Sequence, residues 1–361
     1  MPERSAALQQ PFDLVVIGGG INGAGIARDA ALRGLRVALV EQADLCHGTT
    51  RWSSRLIHGG LRYLEHFEFS LVRESLQERE ILLRNAQHLV APLPLLVPLY
   101  RGAQRGRWKV RAGMWLYDLL SVAKSLPSHR MLDKAGTLGQ APGLSSEGLL
   151  GAARYTDAQV AYPERLTVEN ALDAEAAGAV LLTYHRADRL LTAAGQVCGL
   201  RIVDTQGRAQ ELVTGIVINA AGPWVDEVLS SLGVSAGPYM GGTRGTHIVV
   251  GHFDGAPASG CYVEASSDGR PFFILPWLGR LLIGTTDIRQ AGDPDRARAD
   301  RAEIDYLLEE TNRVFPRASL GHRDIQFHYT GVRPLPRQDR RSAGAITRRH
   351  LLERHRRVAR G

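Results

Sequence analysis

The chain has 361 residues, 44% of them hydrophobic and 22% charged, which excludes disordered and fibrous classes and is long enough for two domains. No apolar run approaches the roughly 18–20 residues that span a bilayer. The formal net charge of +7 sits in residues 337–361, where nine arginines face only Asp339 and Glu353; the rest of the chain is balanced, which argues against an extended nucleic-acid groove and leaves only a basic tail.

The start of the chain lacks a basic region, an apolar core and a small-residue cleavage site, so no signal peptide is expected. Cys46, Cys198 and Cys261 are odd in number and far apart. They read as free thiols in a reducing compartment, with no zinc spacing and no metal site.

Residues 14–17 form a short apolar run that ends in Gly18-Gly19-Gly20-Ile21-Asn22-Gly23. A helix rich in small residues is predicted over 21–33, with Gly34 as its stop. Residues 37–40 read as a second buried strand with Glu41 at its end. This order of strand, glycine turn, helix, strand and acid opens a Rossmann-type unit. Residues 69–88 read as an amphipathic helix with Leu71, Val72, Leu76, Ile81 and Leu83 on or near one side, ending before Pro92 and Pro94. Residues 92–150 mix prolines, arginines and aromatics and read as a second structural region. An antiparallel excursion is predicted over 197–219, turning at Thr205-Gln206-Gly207, and returns to a strand at 215–219. Residues 245–250, 271–276 and 281–287 read as strands of a second sheet, 301–314 as a helix and 324–330 as a strand.

The glycine turn has a physical purpose. Gly18 permits the tight turn, Gly20 lets backbone approach a pyrophosphate, and Gly23 lets the helix pack closely on the strand. The helix N-terminus supplies free N–H groups and a positive dipole end. Glu41 is placed to accept a ribose hydroxyl. The motif alone does not separate NAD from FAD. A second segment runs from Thr49 to Glu65. Thr49, Thr50, Ser53 and Ser54 are candidates for a dinucleotide phosphate, Gly59 and Gly60 for close backbone approach to a flat ring. His58, Arg62 and Tyr63 add a titratable group, a fixed cation and a phenol.

Ile17-Gly18-Gly19-Gly20-Ile21-Asn22-Gly23-Ala24-Gly25 and Ser54-Arg55-Leu56-Ile57-His58-Gly59-Gly60-Leu61-Arg62-Tyr63-Leu64-Glu65 resemble the two signatures of FAD-dependent (aerobic-type) glycerol-3-phosphate dehydrogenases. The resemblance continues through Asn219-Ala220-Ala221-Gly222-Pro223-Trp224-Val225, Gly245-Thr246-His247-Ile248-Val249-Val250, Ile283-Gly284-Thr285-Thr286-Asp287, Gly331-Val332-Arg333-Pro334-Leu335 and Ala345-Ile346-Thr347-Arg348. It implies an α/β fold: a Rossmann-type FAD-binding domain of discontinuous segments (1–90, 150–238 and 322–361) with an antiparallel-sheet α+β substrate domain (91–149 and 239–321).

The resemblance also implies oxidation of sn-glycerol 3-phosphate to dihydroxyacetone phosphate, with a hydride passing from C2 to the flavin and electrons on to a membrane quinone. FAD would be held by Gly18, Gly19, Gly20, Asn22, Gly23, Glu41, Thr49, Thr50, Ser53, Ser54, Gly59, Gly60 and Gly222. Arg62, Tyr63, Arg333 and Arg348 occupy substrate positions, because arginine pairs with phosphate through two bonds. His58 and His247, with Arg333, match catalytic positions, and either histidine is a candidate to accept the C2 hydroxyl proton. Trp224 is expected in the core. Thr285-Thr286-Asp287 is read either as site lining or as a plain turn. The family's acidic pair is replaced by Ala161-Tyr162-Pro163-Glu164, which leaves Glu164 without an assigned role.

The basic and aromatic stretch 101–120 suits a membrane-surface helix. The expected location is cytoplasmic, or peripheral on the inner face of the cytoplasmic membrane. The family continues beyond its Ile-Thr-Arg motif into a Gly-Gly-Lys turn over the flavin. No lysine follows Lys134 here, so the chain reads as a truncated or frameshifted copy in which little or no dehydrogenase activity is expected. A catalytically impaired remnant and a related FAD-dependent amine or amino-acid oxidase are the alternatives.

Overall fold

The computed structural model describes residues 8–121, 124–338 and 346–355. In chain order the first half comprises β1 (Leu14–Ile17), α1 (Ile21–Leu32), β2 (Val37–Glu41), β3 (Leu56–Ile57), α2 (Phe69–Asn85), β4 (Val90–Tyr100), α3 (Arg107–Leu120), β5 (Arg130–Leu132), α4 (Lys134–Gln140), β6 (Leu149–Val160) and α5 (Pro163–Ala176). There follow β7 (Val180–Thr183), β8 (His185–Ala193), β9 (Gln196–Asp204), β10 (Ala209–Val213), β11 (Val217–Asn219), α6 (Val225–Ser231), β12 (Thr243–Val250), β13 (Gly260–Glu264), β14 (Pro271–Trp277), β15 (Arg280–Gly284), β16 (Ile288–Arg289), α7 (Arg301–Val314) and β17 (Ile325–Arg333). Short 3-10 turns include Leu61–His66 and Gly222–Trp224.

The described residues form three sheets. A parallel sheet has the order β11-β1-β2-β7, and α1 packs on it through Gly23, Ala24, Ala27, Ala30 and Ala31. The small side chains bring helix and sheet close together. A Cβ on Gly23 would stand 1.8 Å from the Gly18 carbonyl oxygen, so glycine is required there. The fold is therefore the expected Rossmann-type α/β arrangement beside an antiparallel sheet. β8, β9 and β10 form a separate antiparallel sheet with Gly207 at positive φ in the β9–β10 turn.

The third sheet is large and mixed: β16-β12-β15-β14-β13-β4-β6-β3, with β17 on β12 and β5 on β6. Residues 150–160 and 325–333, placed by sequence in the dinucleotide half, are strands of this sheet. Alternation along each strand divides its faces. Ile248, Val250, Ile274 and Ile283 pack with Leu307 and Leu308 of α7. Val249, Leu275, Leu282 and Tyr329 pack on the opposite face with Val72 and Leu76 of α2 and Met114 and Tyr117 of α3.

Several expectations shift at their edges. α2 ends at Asn85 rather than 88, and Ile81 lies on its exposed side. Pro92, Pro94 and Pro98 fall inside β4. They share one parity, so their missing N–H groups lie along one edge, which β13 touches only at Leu95 and Leu96. The strand expected over 215–219 begins at Val217, and the one expected over 281–287 stops at Gly284. β8 has no counterpart among the expected elements. Ala345 of the last motif and much of the arginine-rich tail lie outside the described residues.

Candidate active site

At the end of β1 the chain turns through Gly18, at φ +110°, into α1. A Cβ on Gly18 would lie 2.6 Å from the Ala220 carbonyl oxygen, so the β11 loop leading to Gly222 crosses directly over the first glycine. Gly222 itself has φ +58°. Gly20 caps α1 without a side-chain bond, and the Ile21 N–H donates to Thr50 Oγ1 at 3.1 Å. Asn22 lies exposed in the first turn. Glu41 accepts the Gly19 N–H at 2.6 Å and the Ala43 N–H at 2.8 Å; a carboxylate has about four lone-pair sites, so capacity for a hydroxyl remains. Bare glycine backbone, a helix start whose N-cap glycine offers no side chain, and a strand-end carboxylate fit the diphosphate and ribose of FAD.

The four hydroxyl residues of the second segment separate. Thr50 faces the glycine turn. Ser54 Oγ lies 2.8 Å from His247 Nε2. Thr49 donates to the Val332 carbonyl at 2.6 Å, and Ser53 Oγ accepts the Arg55 N–H at 3.3 Å, so these two bond protein backbone.

One row of the large sheet carries the next part of the site. Phe273 and His247 both pair with Gly284, and His247 pairs with Tyr329 on its other side. A Cβ on Gly284 would lie 2.5 Å from His247 Cδ2. His247 stacks on Tyr329, is 3% exposed, and its Nδ1 finds no partner among the described residues. Burial, with Arg333 and Arg55 nearby, pushes its pKa down to about 3. His58 stands at the other end of the row, edge-on to Phe273. Burial lowers its pKa too, opposed by Asp157 and assisted by Arg79.

The basic cluster lies at the start of β12. Arg333 Nη2 donates to Thr285 Oγ1 at 2.9 Å and to the Thr286 carbonyl at 3.1 Å. Its Nη1 lies 3.3 Å from both Thr243 Oγ1 and Asp287 Oδ1. Arg348 Nη2 approaches the same Asp287 at 3.9 Å. Two guanidinium groups therefore share one carboxylate. Burial lowers the Arg333 pKa, with Asp287 opposing and Arg348 adding to the effect. The Tyr63 phenol is raised by burial and held back by Arg348, Arg333 and Arg62, which places these groups in one electrostatic neighbourhood.

Sequence reasoning missed the supports. Gly245 is bare because a Cβ would stand 2.2 Å from Arg333 Nη2. Asp287, read from sequence as site lining or a plain turn, is the carboxylate partner of Arg333, a pairing the sequence did not indicate. Behind the sheet, buried Glu303 accepts from Thr246 at 3.0 Å, Thr286 at 2.6 Å and Arg244 at 3.0 Å; its spacing from Asp300 is a capping-box signal legible in sequence. Glu164 pairs with Arg55 at 3.2 and 3.3 Å, a structural role. Trp224, expected in the core, is half-buried against Gly48.

Comparison with known proteins adds the following. The sequence model of the family described as FAD dependent oxidoreductase matches residues 13–358. A glycerol-3-phosphate dehydrogenase of Synechocystis sp. is 51% identical, over 95% of this chain and 64% of its own length. A D-erythritol 1-phosphate dehydrogenase of Brucella abortus is 40% identical, over 94% of this chain and 67% of its own length. The solved structure of the Bacillus halodurans glycerol-3-phosphate dehydrogenase complexed with FAD superposes with a TM-score of 0.77 at 30% identity, over 95% of this chain and 62% of that one. The chain thus spans about two thirds or less of the length of these relatives.

Proposed function

The chain belongs to the FAD dependent oxidoreductase family, and from that premise we propose that it oxidises the C2 hydroxyl of sn-glycerol 3-phosphate to give dihydroxyacetone phosphate. FAD, when bound, supplies the two-electron acceptor. Gly18, Gly20, Gly23 and the start of α1 hold its diphosphate, Glu41 its ribose, and the Gly59–Gly60 backbone and the loop at Gly222 approach its ring. The observation that carries the substrate reading is the cluster of Arg333 and Arg348 around the single carboxylate of Asp287, with Arg62 beside Tyr63. Its excess positive charge suits a phosphate dianion. His58 and His247 border the reacting carbon on unequal terms. His247 is enclosed, and its lowered pKa makes it a weak proton acceptor.

Electrons then pass to a membrane quinone. α3 supports a peripheral membrane contact: Trp108, Trp115 and Leu119 are 76%, 66% and 74% exposed and fall on one stripe, flanked by Arg107, Lys109 and Arg111. Apolar rings between basic side chains suit an anionic lipid surface. No helix among the described residues is long and apolar enough to cross a membrane.

The test is anaerobic addition of substrate to flavin-loaded protein. Glycerol 3-phosphate should bleach the oxidised flavin band, whereas glycerol should not; no bleaching by either would support the impaired-remnant alternative. Bleaching by an amino acid instead would support the amine-oxidase alternative. The relative that acts on D-erythritol 1-phosphate makes that longer polyol phosphate the natural competitor to include.

A further inference from the structure

The segment that carries His58, Arg62 and Tyr63 is held from beneath by α3. Tyr117, on the side of α3 opposite the tryptophans, is 3% exposed. Its Oη receives the Gly59 N–H at 2.8 Å and lies 2.9 and 2.8 Å from the two oxygens of Asp157. Arg79 Nη1 completes a buried ion pair with Asp157 at 2.6 Å and donates through Nη2 to Glu80 and Ser121. A phenol has one proton. With a carboxylate on one side, that proton points to Asp157 and a lone pair faces Gly59. Burial keeps the phenol well above its usual range, so the proton stays in place.

Gly59 allows this contact because a Cβ there would stand 2.5 Å from Leu76 Cδ2 and 2.7 Å from Tyr117 Oη. The next amide, Gly60 N–H, donates to His58 Nδ1 at 3.0 Å, with Gly60 at φ +67°. A ring nitrogen that accepts carries no proton, so the neutral imidazole holds its hydrogen on Nε2.

We infer that Tyr117 is a positioning residue: by anchoring the Gly59 amide to the Arg79–Asp157 pair it locks the His58–Gly60 turn, and so presents His58 to the site as an Nε2–H hydrogen-bond donor. The inference rests on His58 being a site residue, as proposed above. It gives His58 the task of orienting a substrate oxygen rather than that of accepting the C2 hydroxyl proton, for which His247 is then the remaining candidate of the two histidines.

The experiment reads ¹⁵N shifts of histidine-labelled full chain, with His58→Gln identifying the His58 signals, and hydrogen exchange over residues 57–61. In the wild-type protein near neutral pH, His58 Nδ1 should have the shift of an unprotonated nitrogen and Nε2 that of a protonated one. In Tyr117→Phe, which keeps the ring but removes the oxygen, both nitrogens should move toward a tautomer average. Exchange at Gly59 should rise by about tenfold or more, the order expected for one lost hydrogen bond, while the His247 signals stay in place. A proton on Nδ1 in the wild type, or unchanged His58 shifts and exchange in Tyr117→Phe, would overturn the inference. If Tyr117→Phe fails to accumulate as folded protein, the wild-type shifts decide alone. None of these signals depends on turnover, so failure of the substrate reading would appear only in the flavin-bleaching assay.

Discussion

At the scale of single residues the site is a set of charged groups whose partners are already present. Arg333 touches Asp287 and three threonines, so the phosphate of the proposed substrate would compete with a carboxylate that Arg348 also approaches. Arg333→Ala should weaken glycerol 3-phosphate far more than FAD. Loss of a charge-assisted bond is worth about 1.5–3 kcal/mol, or roughly 10–150-fold; unchanged substrate titration of the reduced flavin signal would remove Arg333 from the site. His247 supports a separate prediction about pH. Its folded pKa of about 3 lies below the ordinary 6.5, so the unfolded chain takes up a proton that the folded chain refuses. Stability linked to His247 is full above pH 6.5 and falls as pH drops from there toward 3, by at most about 1.4 kcal/mol per pH unit. Urea melts of His247→Gln should show a flatter acid limb than the wild type; equal slopes would assign the acid loss to other groups.

Elements make two different demands. α1 must approach β1 closely, and its buried face is glycine and alanine for that reason. Gly23→Ala places a methyl 1.8 Å from the Gly18 oxygen, a clash the backbone cannot absorb without shifting the turn. Loss of retained flavin after gel filtration is expected, and normal retention would mean the turn yields. α3 serves two surfaces at once, Met114 and Tyr117 inside and the tryptophan stripe outside. Replacing Trp108, Trp115 and Leu119 together by serine should lower partition onto anionic vesicles by about tenfold or more while melting changes little, because these side chains cover no core. Equal sedimentation of both proteins with vesicles would exclude α3 as the contact. The second link from this region is Arg105, which bonds Glu65 through two nitrogens at 2.9 Å and Glu264 at 2.7 Å. It ties the turn bearing Arg62 and Tyr63 to β13.

On the scale of the whole molecule, the FAD site proposed above draws on segments far apart in sequence, from Gly18 through Gly60 to Gly222. A ligand bound only by the folded state at 100 times its Kd adds about 2.7 kcal/mol, so FAD should raise the melting temperature by several degrees and NAD should not; a rise with NAD alone would refute the FAD assignment. Much of this architecture was legible in the chain itself. Local signals are strong where one element must meet its neighbour: the glycine turn and small-residue face of α1, the Glu41 position, the turn at Gly207, and the span of α7 all follow from steric and hydrogen-bonding needs within a few residues. The family resemblance was likewise carried by short motifs. The partners of those motifs were not legible. Asp287 meets Arg333 across 46 residues, Tyr117 meets Gly59 across 58, and Ser54 meets His247 across 193. The same holds for Pro92 and Pro94, which look like helix stops until the sheet leaves their edge of β4 unpaired. A sequence states which groups are available and which backbone turns are allowed. Which group faces which is decided by sheet order and face alternation, because a strand sends successive side chains to opposite sides, and only the assembled sheet determines what lies there.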